Sequence, residues 1–194
     1  MRLPTVNSIT GRKPLPDTIA ILDLEWTTNT IDWPGVPRDI LEIGGCELDL
    51  RTGDVGRFIS TDVRPTSARV SLHCTRLTGI DPSRAASGAP FADALLPLRE
   101  HFAQCDAWAS FGVMDRVRLE QQCRREGIRF PLPASHLDIQ AIAMEHFGWW
   151  RRRSLSQTLV ALGQPFVGKP HSALADATNA ANVLRDILVA APAA

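Results

Sequence analysis

The stretch TIAILDLEW (residues 18–26) constrains this chain more than any other. It is a short, continuous apolar run that ends in two acids, Asp23 and Glu25. A half-exposed strand alternates apolar with polar residues, so an unbroken run predicts a strand covered on both faces. Residues two apart on a strand point to the same side, which pairs the two carboxylates. Carboxylates side by side repel and ask for a proton or a cation between them. Hard divalent ions such as Mg²⁺ and Mn²⁺ suit oxygen ligands of this kind. Taken alone, D-x-E equally describes two solvated acids at a strand end.

The segments after this run supply the rest of a sheet. DILEIGGCELDL (39–50) and VGRFISTDV (55–63) are rich in β-formers and flank the turn signal RTGD (51–54), which predicts a meander. Gly44 and Gly45 predict a bend or bulge. Residues 27–38 read as a loop, and CDAWASFG (105–112) as a fourth strand. Apolar spacing and glycine stops predict helices over 72–80, 90–104, 113–127, 136–148, 154–163 and 171–191, with Pro82 and Gly88 in a loop. Such an order of elements gives an α/β domain around a mixed sheet. At 194 residues there is room for one domain with a substantial core, predicted over 18–191 behind a loose arm of residues 1–17.

Composition narrows the function classes. Lys+Arg and Asp+Glu both number 21, a formal net charge of zero. That excludes a globally basic surface for tight, non-specific duplex binding and leaves a local basic groove open. No stretch has the roughly 18 consecutive apolar residues of a membrane span, and the N-terminal residues lack a signal-peptide core. Cys46, Cys74, Cys105 and Cys123 form no CxxC pair, which predicts free, buried thiols in a reducing cytoplasm.

Two further elements carry chemistry. Asp115 in SFGVMD follows the fourth strand at a predicted helix start, where an acid also complements the helix dipole. His171 and Asp176 in HSALADA lie five apart at the opening of the last helix. Histidine is the side chain that titrates nearest neutrality and suits general-base work. Each element alone has a plain structural explanation: a dipole partner, a surface histidine, a helix acid. The ordered set is more specific than any member.

That ordered set, LDLEWT (22–27), SFGVMD (110–115) and HSALADATNAANVL (171–184), resembles the DEDDh 3′–5′ exonuclease family. RDILEIGGCELD, VSLHCTRLTGI and the Trp108…Asp115…Gln122-Cys123 arrangement are similar to the exoribonucleases that trim histone mRNA and small interfering RNA. The resemblance covers residues 18–190 and implies a ribonuclease H-like fold, a five-stranded mixed sheet flanked by helices. It implies that Asp23, Glu25, Asp115 and Asp176 hold two Mg²⁺ or Mn²⁺ ions. His171 would be the general base, with Glu25 beside it in catalysis. It also implies 3′-to-5′ hydrolysis of single-stranded nucleic acid, RNA before DNA, releasing nucleoside 5′-monophosphates. Leu24, Trp26, Thr27, Leu77, Thr78 and Phe111 fall where that family contacts the 3′ nucleotide.

The chain departs from the family where Trp26 precedes Thr27 and Thr28, and where Ser110 and Phe111 replace an expected Trp-Gly with Trp108 upstream. WWRRRS (149–154) joins two indoles to three guanidiniums, which suits either strand binding or a solvated loop with an anchoring Trp. Asp138 is expected to support a helix start rather than join the site. Two other readings share these residues: a catalytically silent nucleic-acid or protein binding module on the same fold, and an endonuclease of the ribonuclease H type.

Overall fold

The computed structural model describes residues 17–29 and 37–189. Expectations for the arm before residue 17, for residues 30–36 of the first loop, and for residues 190 and 191 lie outside the described residues. Five strands form one mixed sheet: β1 (Thr18–Trp26), β2 (Ile40–Asp49), β3 (Val55–Asp62), β4 (Ala107–Ser110) and β5 (His136–Asp138). Their spatial order is β3-β2-β1-β4-β5. β1, β2 and β3 pair antiparallel, while β4 joins β1, and β5 joins β4, in parallel.

The apolar run of β1 is central, and its two sets of side chains feed two cores. Ala20, Leu22 and Leu24 pack with Phe91, Phe102, Trp108 and Leu119. That layer is covered by α3 (Phe91–Ala94), α4 (Leu96–Phe102) and α5 (Met114–Arg125). Ile19 and Ile21 pack on the opposite face with Ile139, Leu159 and Leu184. Its cover is α6 (Ile139–Phe147), α7 (Leu155–Ala161) and α8 (Ala173–Leu188). Strand alternation therefore sends Asp23 and Glu25 to the α8 side.

Several local expectations need correction. Residues 136–138 pair with β4 as β5, so the helix predicted from 136 starts at Ile139, with Asp138 accepting the Ala141 N–H as its cap. The segment placed in a loop contains α2 (Pro82–Ser87), capped by Asp81 and opened by Pro82, a start signal present in the sequence. The single helix over 90–104 is two, because Pro97 has no N–H to return to the Asp93 carbonyl. The helix predicted over 72–80 is α1 (Leu72–Thr78), closed by Gly79 in the left-handed conformation.

The glycine pair of β2 has two different uses. A register shift between Gly45 and Glu47 marks the expected bulge. Gly44 stands opposite Asp23 in the β1–β2 ladder. A Cβ there would lie 2.1 Å from the Ala173 carbonyl carbon and from the Leu174 nitrogen. The first turn of α8 thus rests on bare β2 backbone beside Asp23. Gly44→Ala is expected to push that turn away, destabilising the fold by about 1–3 kcal/mol. Because the turn carries Asp176, activity should fall about 100-fold more than the lost folded fraction explains. Paired denaturation and rate measurements check this.

Candidate active site

β1 is longer than its parallel neighbour, and the site is built where it runs on past β4, paired with β2 alone. Pairing with β4 stops at Ile21 opposite Ala109. Beyond that point the Leu24 N–H donates to Asp115 Oδ1 at 3.1 Å, fastening the first turn of α5 to the strand. Ligand sites at the carboxyl ends of strands are the general expectation for open α/β sheets.

The third component arrives on α8. The Ala173 N–H donates to Glu42 Oε2 at 3.2 Å, and Arg84 bridges Glu42 and Asp62 from the other side. His171 precedes the helix in the left-handed conformation, φ 61°, unusual for a non-glycine residue. Its N–H donates to Asp176 Oδ2 at 3.1 Å. The strained backbone thus leaves the imidazole exposed while tying its own main chain to a site acid.

These elements enclose a cavity of about 340 Å³. Asp23, Glu25, Asp115, His171 and Asp176 all line it, together with Leu24, Trp26, Leu77 and Phe111. Thr28 and Met114 complete the lining and are not among the site residues expected from the sequence. Leu24 borders the cavity although its side chain belongs to the core. Two expected residues are elsewhere. Thr27 is buried beside the cavity, its hydroxyl accepting the Asp39 N–H, and lines a separate cleft with Arg38 and Ser67. Thr78 is 2% exposed, its hydroxyl donating to the Cys74 carbonyl and accepting the Ile80 N–H. Local backbone bonds engage both hydroxyls, and neither residue lines the acidic cavity.

Around the acids, Trp26 carries the Arg118 guanidinium 5.7 Å from its ring centroid. Trp108 does not reach the site: it is buried against His136 and Phe130. Ser110 donates to the Gly112 carbonyl at 2.7 Å, so its oxygen accepts from His136 Nε2 at 2.9 Å. That chain of bonds holds the turn bearing Phe111. Burial, then the Arg116 charge, pushes the His136 imidazole down to about 4.

The electrostatics of the acids are those of a site short of positive charge. Burial pushes Glu25 up to about 8, reinforced by the charges of Asp176, Glu42 and Asp115 and relieved in part by Lys169. Burial raises Asp115 to about 7, opposed by the Leu24 N–H bond. Asp23 lies well above the usual carboxylate range through burial and then the charges of Asp115, Asp176 and Glu25. Asp176 is raised by burial, with the His171 N–H bond opposing. Ligand atoms of Glu25, His171 and Asp176 lie within 4.8 Å of one another. A divalent cation fits such a donor set: two carboxylates that repel until a cation separates them, with an imidazole nitrogen converging on the same point.

The fold is ribonuclease H-like, with an acid cluster at the end of its central strand. A family model described as Exonuclease, RNase_T, matches residues 20–184, and the chain belongs to that family. It is 27% identical over 170 residues to the Drosophila melanogaster 3′–5′ exonuclease Snipper, covering 73% of this chain and 58% of that protein. It is 26% identical over 190 residues to Homo sapiens ERI1 exoribonuclease 3, covering 86% and 52%. The chain thus spans little more than half the length of these curated relatives. The nuclease domain of 3′hExo, a DEDDh family member bound to rAMP, superposes with TM-score 0.78 at 24% identity, covering 91% of this chain and 94% of that one. A 3′-exonuclease in 3′-end recognition of the histone mRNA stem-loop gives 0.81 at 23%, covering 91% and 65%.

Stability should report the charge shortage. With ordinary values of 3.8 for aspartate and 4.5 for glutamate, the native acids keep protons that the unfolded chain has released. Stability from this source is complete below those values and is lost as the pH rises through about 7 and about 8. His136, depressed from 6.5, works in the opposite direction only at lower pH. In chelator, the melting temperature should therefore fall between about pH 6.5 and pH 8.5. Adding Mg²⁺ or Mn²⁺ at a hundredfold excess over its Kd should return about 2.7 kcal/mol at the higher pH. Thermal melts with and without cation at both pH values check this.

Proposed function

We propose that residues 18–191 act as a 3′–5′ exonuclease domain that removes nucleotides one at a time from single-stranded nucleic acid. The observation that carries this reading is the convergence of four acids and His171, from three distant stretches of chain, in one cavity. Asp23, Glu25, Asp115 and Asp176 would hold two divalent cations, Mg²⁺ or Mn²⁺. When bound, such cations supply the charge that neutralises phosphate oxygens and make water a better nucleophile at neutral pH. His171, exposed at the mouth, takes the proton from the attacking water, with Glu25 beside it. The water oxygen attacks phosphorus and the bond to the upstream O3′ breaks. A nucleoside 5′-monophosphate leaves, and the strand keeps a 3′-hydroxyl.

Trp26, Leu77, Phe111 and Leu24 line the same cavity as the acids and are proposed to hold the terminal nucleoside. RNA is favoured over DNA, a reading supported by the names of relatives that are exoribonucleases and by the rAMP bound to one similar structure. A cytoplasmic setting is supported by four free, buried cysteines. Among the described residues no helix is long and apolar enough to cross a membrane. The same five groups in one cavity favour turnover over a silent binding module.

A 5′-labelled single strand with Mg²⁺ or Mn²⁺ should yield a ladder of products shortened from the 3′ end, faster for RNA than for DNA of the same sequence. A circular single strand should resist. His171→Ala should slow trimming by roughly 100-fold or more, and Asp23→Asn should remove cation-dependent activity. Wild-type rates in both variants would dismiss the mechanism.

A further inference from the structure

The segment after α6 is built to present one aromatic side chain to solvent. Gly148 closes the helix in the left-handed conformation, and the Trp149 N–H donates to the Met144 carbonyl at 2.9 Å. The Trp149 ring stacks on Phe147, centroids 4.5 Å apart and planes at 15°, and the Arg153 guanidinium lies 5.7 Å from its centroid. The Arg153 carbonyl accepts from Gln140 Nε2 at 2.8 Å. Both ends of the loop are therefore anchored. Between them Trp150 is 85% exposed, the most exposed large apolar side chain among the described residues. Single exposed apolar residues are ordinary. An indole held out by an anchored loop, with the Arg151 guanidinium 5.2 Å from its centroid, is a different case.

Position and charge give this loop a partner. Arg152 bonds to Gln140 and lies 3.4 Å from Asp138 Oδ2. Its Nη1 also stands 3.8 Å from where a Cβ of Gly112 would be. Gly112 follows Phe111, which lines the acidic cavity, so the Arg152 guanidinium reaches the turn next to the cavity lining. Three guanidiniums, of which Arg152 is paired with Asp138, leave a local positive surplus on a chain whose net charge is zero. Aromatic faces stack on any unpaired base, and arginines meet the intervening phosphates.

We propose that the loop of residues 149–153 is a strand-docking exosite for single-stranded nucleic acid. Trp150 stacks on an unpaired base upstream of the 3′ end, and Arg151 and Arg152 face the adjoining phosphodiesters. The proposal rests on the exonuclease reading of the neighbouring cavity and adds a second point of contact to it. The exosite sets how firmly a long strand is held, while the cavity sets the chemistry.

The test compares a short reporter, the p-nitrophenyl ester of thymidine 5′-monophosphate, with single strands of about 12 nucleotides. Trp150→Ala should raise KM for the long strand about 10-fold and leave kcat and reporter hydrolysis unchanged, while Trp150→Phe should retain most of the affinity. Arg151→Ala should weaken the salt dependence of KM. Anisotropy of a fluorescent 12-mer of the same kind, measured in chelator, reads the contact without turnover and should show the same loss. If the wild type proves inactive on every substrate, the exonuclease reading fails and the anisotropy alone judges the loop. Equal affinity of wild type and Trp150→Ala for the single strand overturns the exosite. So does an equal loss on a blunt duplex, which offers no unpaired base to stack.

Discussion

Mutual repulsion among buried carboxylates is the constraint around which this molecule is arranged. Asp23, Glu25, Asp115 and Asp176 converge where burial and like charge both favour their protonated forms. Nothing in their own chemistry would bring them together. The surrounding protein does so with backbone groups, and the N–H bonds it gives to Asp115 and Asp176 offset part of that repulsion. The Leu24 N–H grips Asp115, the Ala173 N–H grips Glu42, and the bare Gly44 backbone lets α8 come down onto β2.

Glu42 shows how deep this scaffolding goes. It is a buried acid on the central antiparallel pair, its one face bonded to the start of α8 and its other to Arg84, which in turn binds Asp62. Its charge adds to the repulsion felt by Glu25 and Asp23. Asp39 works likewise at a second corner: one oxygen accepts the N–H groups of Thr66, Ser67 and Ala68 while the other meets Arg125. Acids are thus used twice, as groups of the cavity and as clamps for the chain around it.

Legibility followed signal length. The unbroken apolar start of the nine-residue β1 and the long stripe of α8 were readable because each pattern extends over enough residues to stand out. β5 has three residues and no period to detect, so it was absorbed into the helix that follows. The break at Pro97 and the Asp81-Pro82 helix start were signals in the sequence outweighed by neighbouring patterns. Thr27 and Thr78 lie in the right stretches of chain, but which way a hydroxyl turns is settled by the nearest backbone partner. Glu42 gave no cue beyond being an acid inside a β-rich run.

Residue order alone carried the candidate groups of the cavity: two acids closing an apolar strand, one acid after the fourth strand, and a histidine five residues before the last acid. Chemistry is a property of side-chain type, so it survives being read in one dimension. Proximity is not. Asp23, Asp115 and Asp176 are separated by whole strands and helices. Their meeting depends on β1 outrunning β4, on α8 seating against Gly44, and on His171 adopting a left-handed backbone. Those are long-range steric and hydrogen-bond choices, made only when both sheet faces are packed.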